Sequence, residues 1–204
     1  KVDEEQILRA FMNKIIPAFK NLSNNSYAFQ DYVKQSFCIY QLFQTLQLFE
    51  DMEQEVPDGK LALTAIEFVD QHANFFDHHL KKAAFYLGCA TEKLLNHQEW
   101  KYKNKPFMKN LLSLYVDYKG LGEIFHKLRK KADEYVNDTE PVFPYGAFNK
   151  IMAKFGEQLA LGYNENITKT EISYAFSLGL VMEKEFRGRK YSNKANETTK
   201  NVEA

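Results

Sequence analysis

Ala84-Phe85-Tyr86-Leu87-Gly88-Cys89-Ala90-Thr91-Glu92-Lys93 is matched 91 positions later by Ala175-Phe176-Ser177-Leu178-Gly179-Leu180-Val181-Met182-Glu183-Lys184, with identity at Ala, Phe, Leu, Gly, Glu and Lys. Both stretches have helical character, so each puts a glycine inside a helix, at a cost of roughly 1 kcal/mol relative to alanine. A compensating reason is expected. Lost side-chain bulk lets another backbone come close, and the sequence is consistent with a bundle built around two equivalent helices. Two core helices of chance similarity are the simpler account. Neither carries chemistry.

Outward from this repeat, nearly every segment keeps a helical period. Ile7, Leu8, Phe11, Ile15, Ile16 and Phe19 mark a first helix, interrupted near Pro17. A polar turn at 21–26 precedes a long helix over 27–54, and Pro57-Asp58-Gly59 is the clearest break. A helix is expected from Leu61, continuing with a kink through Asn96. Pro106 reopens a helix whose pattern runs towards Tyr135. Residues 138–144 read as a loop and 145–162 as a helix. Thr168 and Glu171 have capping-box spacing, with Thr168 as N-cap. The last helix is expected to end near Arg187, with a frayed tail after it. No run alternates as a half-buried strand does. The fold class is therefore all-α, a bundle of about six to eight helices without significant sheet. The expected division is an N-terminal helical segment at 1–56, a main bundle at 57–187 and the tail at 188–204, possible also as one continuous domain.

The 204 residues are 45% hydrophobic and 15% aromatic, enough for a substantial core. Formal net charge is zero, but it is unevenly spread. Residues 1–75 hold 6 basic and 11 acidic side chains, and residues 81–131 hold 12 and 4. That asymmetry points to an anionic partner for the middle of the chain, or to a solvated face. Cys38 and Cys89 lie in apolar surroundings and read as buried thiols of a cytoplasmic protein. Five Asn-x-Ser/Thr sequons, at Asn21, Asn24, Asn137, Asn166 and Asn196, read as by-products of an Asn-rich composition. No apolar run approaches the roughly 20 residues of a membrane span. A chain that begins at Lys1 is expected to be a fragment or a trimmed product.

Most catalytic motifs are missing. Gly120 and Gly122 do not have phosphate-loop spacing, and no Gly-x-Ser-x-Gly elbow occurs. No arginine precedes a histidine by the spacing of helical Arg-x-His ribonucleases. Asp77-His78-His79 resembles a phosphoesterase tripeptide but lacks its strand-loop setting. His72 and His79 are seven apart and would share a helix face, which is one geometry for a metal pair. Glu123 and His126 have the Glu-x-x-His spacing of di-iron bundles, which need a second copy. Capping or solvent-facing roles account for these histidines without a metal, so no enzyme activity, cofactor or metal is expected. A helical metalloprotein using His72, His79 or Glu123 and His126 is one alternative.

The basic segments are better candidates. Trp100, Lys101, Lys103, Lys105 and Lys109 fall in a ten-residue stretch with no acid, placed by Pro106 at a loop leading into a helix. Lysines there would neutralise phosphates and exposed aromatics would stack on unpaired bases. Trp100 and Phe107 are equally suited to anchor a core. Lys127, Arg129, Lys130 and Lys131 form a second cluster; Arg187, Arg189 and Lys190 form a third. Both lie at helix ends, where positive charge needs no ligand.

The order Ala-Phe-x-Leu-Gly (84–88), Lys-Leu-Leu-Asn (93–96), Lys-Pro-Phe-x-Lys-x-Leu (105–111), Gly-Leu-x-x-Ile-Phe-x-Lys-Leu (120–128) and Glu-Ile-Ser-Tyr-Ala-Phe-Ser-Leu-Gly-Leu (171–180) resembles the C-terminal helical part of the type I-B CRISPR Cascade large subunit. The same region serves as that system's small subunit. The resemblance covers residues 80–187. It implies a cytoplasmic, non-catalytic subunit of an RNA-guided DNA-surveillance complex in antiviral defense. Its partners would be the backbone and large subunits, guide RNA, target and non-target DNA strands, and further copies of itself, with no membrane. The other alternative is a purely structural interaction module, favoured if the basic face is buried or paired with acids.

Overall fold

A computed structural model describes residues 44, 46–48, 50–52, 61–107 and 118–200, with side chains described as far as residue 190. All belong to the compact unit Gln41–Ala204. The expected helices at 7–19 and over most of 27–54, the break at 57–59, Cys38 and Lys109 lie outside the described residues. Among the described residues every regular element is a helix, and the fold is all-α. The elements are α1 (Ala65–Gln71), α2 (His79–Tyr102), α3 (Tyr118–Asp133), α4 (Tyr145–Leu161) and α5 (Lys169–Lys200).

Helix α2 buries 16 of its 24 residues, including Leu80, Phe85, Leu87, Leu94 and Leu95. A helix buried around most of its circumference must be surrounded, and α1, α3, α4 and α5 all pack against α2. Phe68 of α1 stacks on Phe85 of α2 at 5.4 Å between ring centroids and meets Phe186 of α5 edge-on at 5.9 Å. Between α3 and α4, Phe125 stacks on Phe155 at 5.1 Å.

The repeat resolves into one crossing. Helices α2 and α5 run in the same direction: Lys81 pairs with Glu171 at 3.3 Å near their starts, and Lys93 pairs with Glu183 further along. Between these, Gly88 faces Gly179. A Cβ on Gly88 would overlap the Phe176 carbonyl oxygen and lie 3.1 Å from the Gly179 Cα. A Cβ on Gly179 would overlap the Phe85 carbonyl oxygen and lie 2.9 Å from the Cys89 nitrogen. Each glycine makes room for the carbonyl of the phenylalanine three residues before the other, as a local two-fold relation requires. The backbone approach offsets the low helix propensity of glycine.

Helix ends follow local chemistry. Glu171 N–H donates to Thr168 Oγ1 at 3.2 Å, and Thr168 N–H donates to Glu171 Oε2 at 3.1 Å, as capping-box spacing predicts. Thr64 and Glu67 form a similar start for α1. The start of α2 is capped from a distance: His79 N–H and Leu80 N–H donate to the two carboxylate oxygens of Glu165, each at 2.8 Å. Glu165 lies in the α4–α5 loop, and its charge also complements the helix dipole.

Three expectations about helix extent are corrected. The helix foreseen from Leu61 through Asn96 is two helices, because α1 ends at His72 and α2 begins after His78, an extended N-cap. Helix α2 then passes Asn96 to Tyr102, so Trp100 and Lys101 are helical rather than in a loop. Buried Gln98 holds this last part: its Nε2 donates to Tyr135 Oη at 3.1 Å and its Oε1 accepts from Phe107 N–H at 3.0 Å. The helix stops at Lys103, whose φ of 57° is left-handed. Finally, α5 continues past Arg187 to Lys200, since Gly188 weakens a helix but, unlike proline, does not break it.

Candidate nucleic-acid interface

Two of the three basic clusters converge at the C-terminal end of α2. Lys101 lies over the ring of Tyr135 at 5.2 Å, and Lys131 of α3 lies over the same ring at 5.4 Å. Tyr102 is 6.3 Å from Tyr135, between ring centroids. Two cations against one aromatic ring repel each other, and neighbouring acids offset this. Asp138 accepts from Lys101 Nζ at 2.5 Å and contacts His97 Nε2 at 2.8 Å. Glu134 accepts from Lys131 Nζ at 2.5 Å. Lys101 first, then His97, hold the Asp138 carboxyl below the usual carboxylate range. Glu134 raises the Lys131 ammonium.

The rest of the first cluster divides. Phe107 is a core residue, whereas Trp100 is 63% exposed. Lys103 is exposed, and Lys105 pairs with Glu99 at 2.9 Å. In the second cluster Lys127, Arg129 and Lys130 are exposed on α3, opposite the face that buries Leu121, Ile124 and Leu128.

The third cluster sits at the α2–α5 contact. Arg187 lies 3.7 Å from the carboxylate of Glu92, which is almost fully buried. Burial raises the Glu92 carboxyl above the usual range, although Lys184, Lys105 and Arg187 all act to lower it. Arg189 donates to the Ala62 carbonyl at 2.9 Å, and Lys190 is exposed. The exposed part of the expected interface is therefore Trp100, Lys103, Lys127, Arg129, Lys130 and Lys190. Lys101, Lys105, Lys131, Arg187 and Arg189 each hold an intramolecular partner.

Sequence reasoning missed Asp138, Glu134 and Tyr135 as members of this surface. Asp138 stands 37 positions from Lys101, and no local pattern announces that contact. Glu134, three residues after Lys131, was within reach of helical-spacing arguments.

The histidines take structural positions. His72 caps α1 and packs on Phe68 at 4.4 Å, while His79 opens α2 and bonds Gln158 Oε1 through Nδ1 at 2.8 Å. They belong to different elements, which corrects the shared helix face. Glu123 and His126 are both exposed on α3. Among the described residues, no three His, Cys, Asp or Glu side chains are placed to hold a metal ion together. No described helix is long and apolar enough to cross a membrane.

A family model for the CRISPR-associated protein TM1802 (cas_TM1802) C-terminal domain matches residues 1–194. The chain belongs to that family. Neither a curated protein nor a solved structure matches it. The CRISPR association implied by the motifs at 84–180 thus holds at the level of the family, and the match extends into the first 80 residues, which the resemblance left aside. For this CRISPR-associated domain, exposed cations beside aromatics at the end of α2 are the surface of chemical interest.

Proposed function

We propose that the chain is a non-catalytic subunit, or subunit domain, of a type I-B Cascade-type CRISPR complex. In this reading it packs on the guide-RNA-bound backbone and steadies the DNA strands of the R-loop. The observation that carries it is the family match, joined to a basic and aromatic surface formed by Trp100, Tyr102, Lys103 and the exposed face of α3. Point charges on a helical face suit a phosphate backbone without sequence preference. Exposed ion pairs contribute only about 0–1 kcal/mol, so cations such as Lys105 and Lys131 can exchange a carboxylate for a phosphate at small cost. Such contacts are individually weak, and assembly along a filament raises their effective concentration.

Tagged chain purified from its native host should bring a uniform short RNA with repeat-derived ends, together with larger protein subunits. Recovery with neither would overturn the assignment. In the assembled complex, replacing Lys103, Lys127 and Lys130 with Glu should reduce DNA loading while the bundle stays folded.

One observation favours a second reading, a structural module that binds protein neighbours only. Five of the eleven described cations along 81–131 are neutralised internally: Lys81 by Asp77 and Glu171, Lys93 by Glu183, Lys101 by Asp138, Lys105 by Glu99 and Lys131 by Glu134. Unchanged DNA loading by the triple variant, with intact assembly, would select this reading.

A further inference from the structure

An open cleft of roughly 600 Å³ lies beside the last turn of α2, lined by Trp100, Thr139, Glu140, Pro141 and Val142. That volume is within the range of small-ligand sites, about 300–1,000 Å³. Its two large apolar walls face solvent, with Trp100 63% and Val142 68% exposed. The indole is not needed to fill the core, because buried Gln98, Phe107 and Tyr135 already secure this end of α2.

We infer that this cleft is a slot for one unpaired nucleobase of a single strand, stacked on Trp100 and flanked by Pro141 and Val142. The inference rests on the nucleic-acid reading above and adds to it a mode of contact and a preference for single strands. Charge decides the occupant and its orientation. Glu140 on the wall repels a phosphate, so the cleft does not take the backbone. Lys103 follows Trp100 by three residues, is exposed, and sits where the chain leaves the helix in a left-handed turn. Lys101 is bound to Asp138, the residue that precedes the cleft wall at Thr139. An exposed cation three residues along the chain from Trp100 and apolar surface within the cleft match a nucleotide whose phosphate stays outside while its base enters. A base in a duplex is stacked on its neighbours and cannot enter without unpairing.

Trp100 is the single tryptophan of the chain, so its fluorescence reports on this cleft alone. Titrating the chain with oligo(dT) at low salt should quench that emission, and the same concentration of duplex should quench it far less. Trp100→Ala should weaken binding of a labelled oligo(dT), followed by anisotropy, by about 5- to 150-fold, the range that one stacked base implies. Val142→Asp keeps the reporter and should reduce the quenching. Both side chains are exposed, so neither variant should lose the fold, and circular dichroism checks this. Absence of quenching at any oligo(dT) concentration, or equal binding by Trp100→Ala, would overturn the slot. If Trp100→Ala binds normally while the Lys103, Lys127 and Lys130 reversal weakens binding, the slot fails and the nucleic-acid reading stands. If no variant or wild-type chain binds and no RNA accompanies the purified complex, both fail.

Discussion

Gly88 and Gly179 occupy one another's missing side-chain space: each backbone passes where the other's Cβ would stand, against the carbonyls of Phe176 and Phe85. An alanine at either position gains roughly 1 kcal/mol of helix propensity but strikes a backbone atom that no rotamer change can move. Gly88→Ala and Gly179→Ala should each destabilise the protein by about 1–3 kcal/mol or more, read from urea unfolding. Gly156, inside α4 with open space around its Cα, is the control. Gly156→Ala should stabilise by about 0.5–1 kcal/mol. A stabilised Gly88→Ala would show that the close approach is not there.

The Lys93–Glu183 pair joins the two repeats, with the two side chains only 14% and 8% exposed. Removing one member leaves the other charged and poorly solvated. Glu183→Ala should cost about 3–5 kcal/mol. The double change Lys93→Met with Glu183→Leu should recover most of that loss. A double variant as unstable as the single one would show that packing, not unpaired charge, sets the cost.

Glu92 gives a pH dependence of defined sign. Burial raises its carboxyl in the folded state, so the folded state binds that proton more tightly than the unfolded chain does. Its contribution is fully present below the unfolded value and is lost as pH rises through the raised folded value. Glu92→Gln removes this loss. Relative to wild type, the variant should gain thermal stability as pH rises from about 4 to 7. An advantage that shrinks over that range would reverse the assignment.

Asp138 behaves oppositely. Lys101 and His97 lower its carboxyl, so its contribution is present above the unfolded value and is lost as pH falls through the lowered one. Asp138→Asn should therefore lack one component of acid destabilisation below about pH 4. The same change releases Lys101 from its carboxylate partner. If the nucleic-acid reading holds, single-strand affinity should rise, and the slope of log K against log salt should steepen by about 0.7. An unchanged slope would mean that Lys101 does not reach the strand.

Much of the architecture was legible before the structure. Period alone pointed to helices, the Thr168/Glu171 spacing located the start of α5, and the boundaries of α4 differ by a residue from those expected. These features depend on neighbours within a few positions, where helical geometry links sequence directly to contact. The helix ends near Asn96 and Arg187 were misjudged because their continuation rests on distant or weak effects. Gln98 is held by Tyr135, and Gly188 lacks the steric block that would stop a helix.

The candidate surface was legible in composition but not in pairing. The basic excess of 81–131 is plain in the sequence, and so are the aromatic side chains at Trp100 and Tyr102. Which lysines stay available was decided by acids at 138, 171 and 183, brought in by the fold. Coulombic partners are chosen by distance in space, and a linear reading contains that distance only within a turn or two of helix. The sequence by itself determined that the chain is helical, that two of its helices share a motif, and that its middle carries excess positive charge. The tertiary structure decided that the shared motifs cross glycine to glycine, that nearby acids quench much of the charge, and that one tryptophan stands exposed over a cleft. Packing brings together residues dozens of positions apart, and that alone selects which side chains remain for a partner.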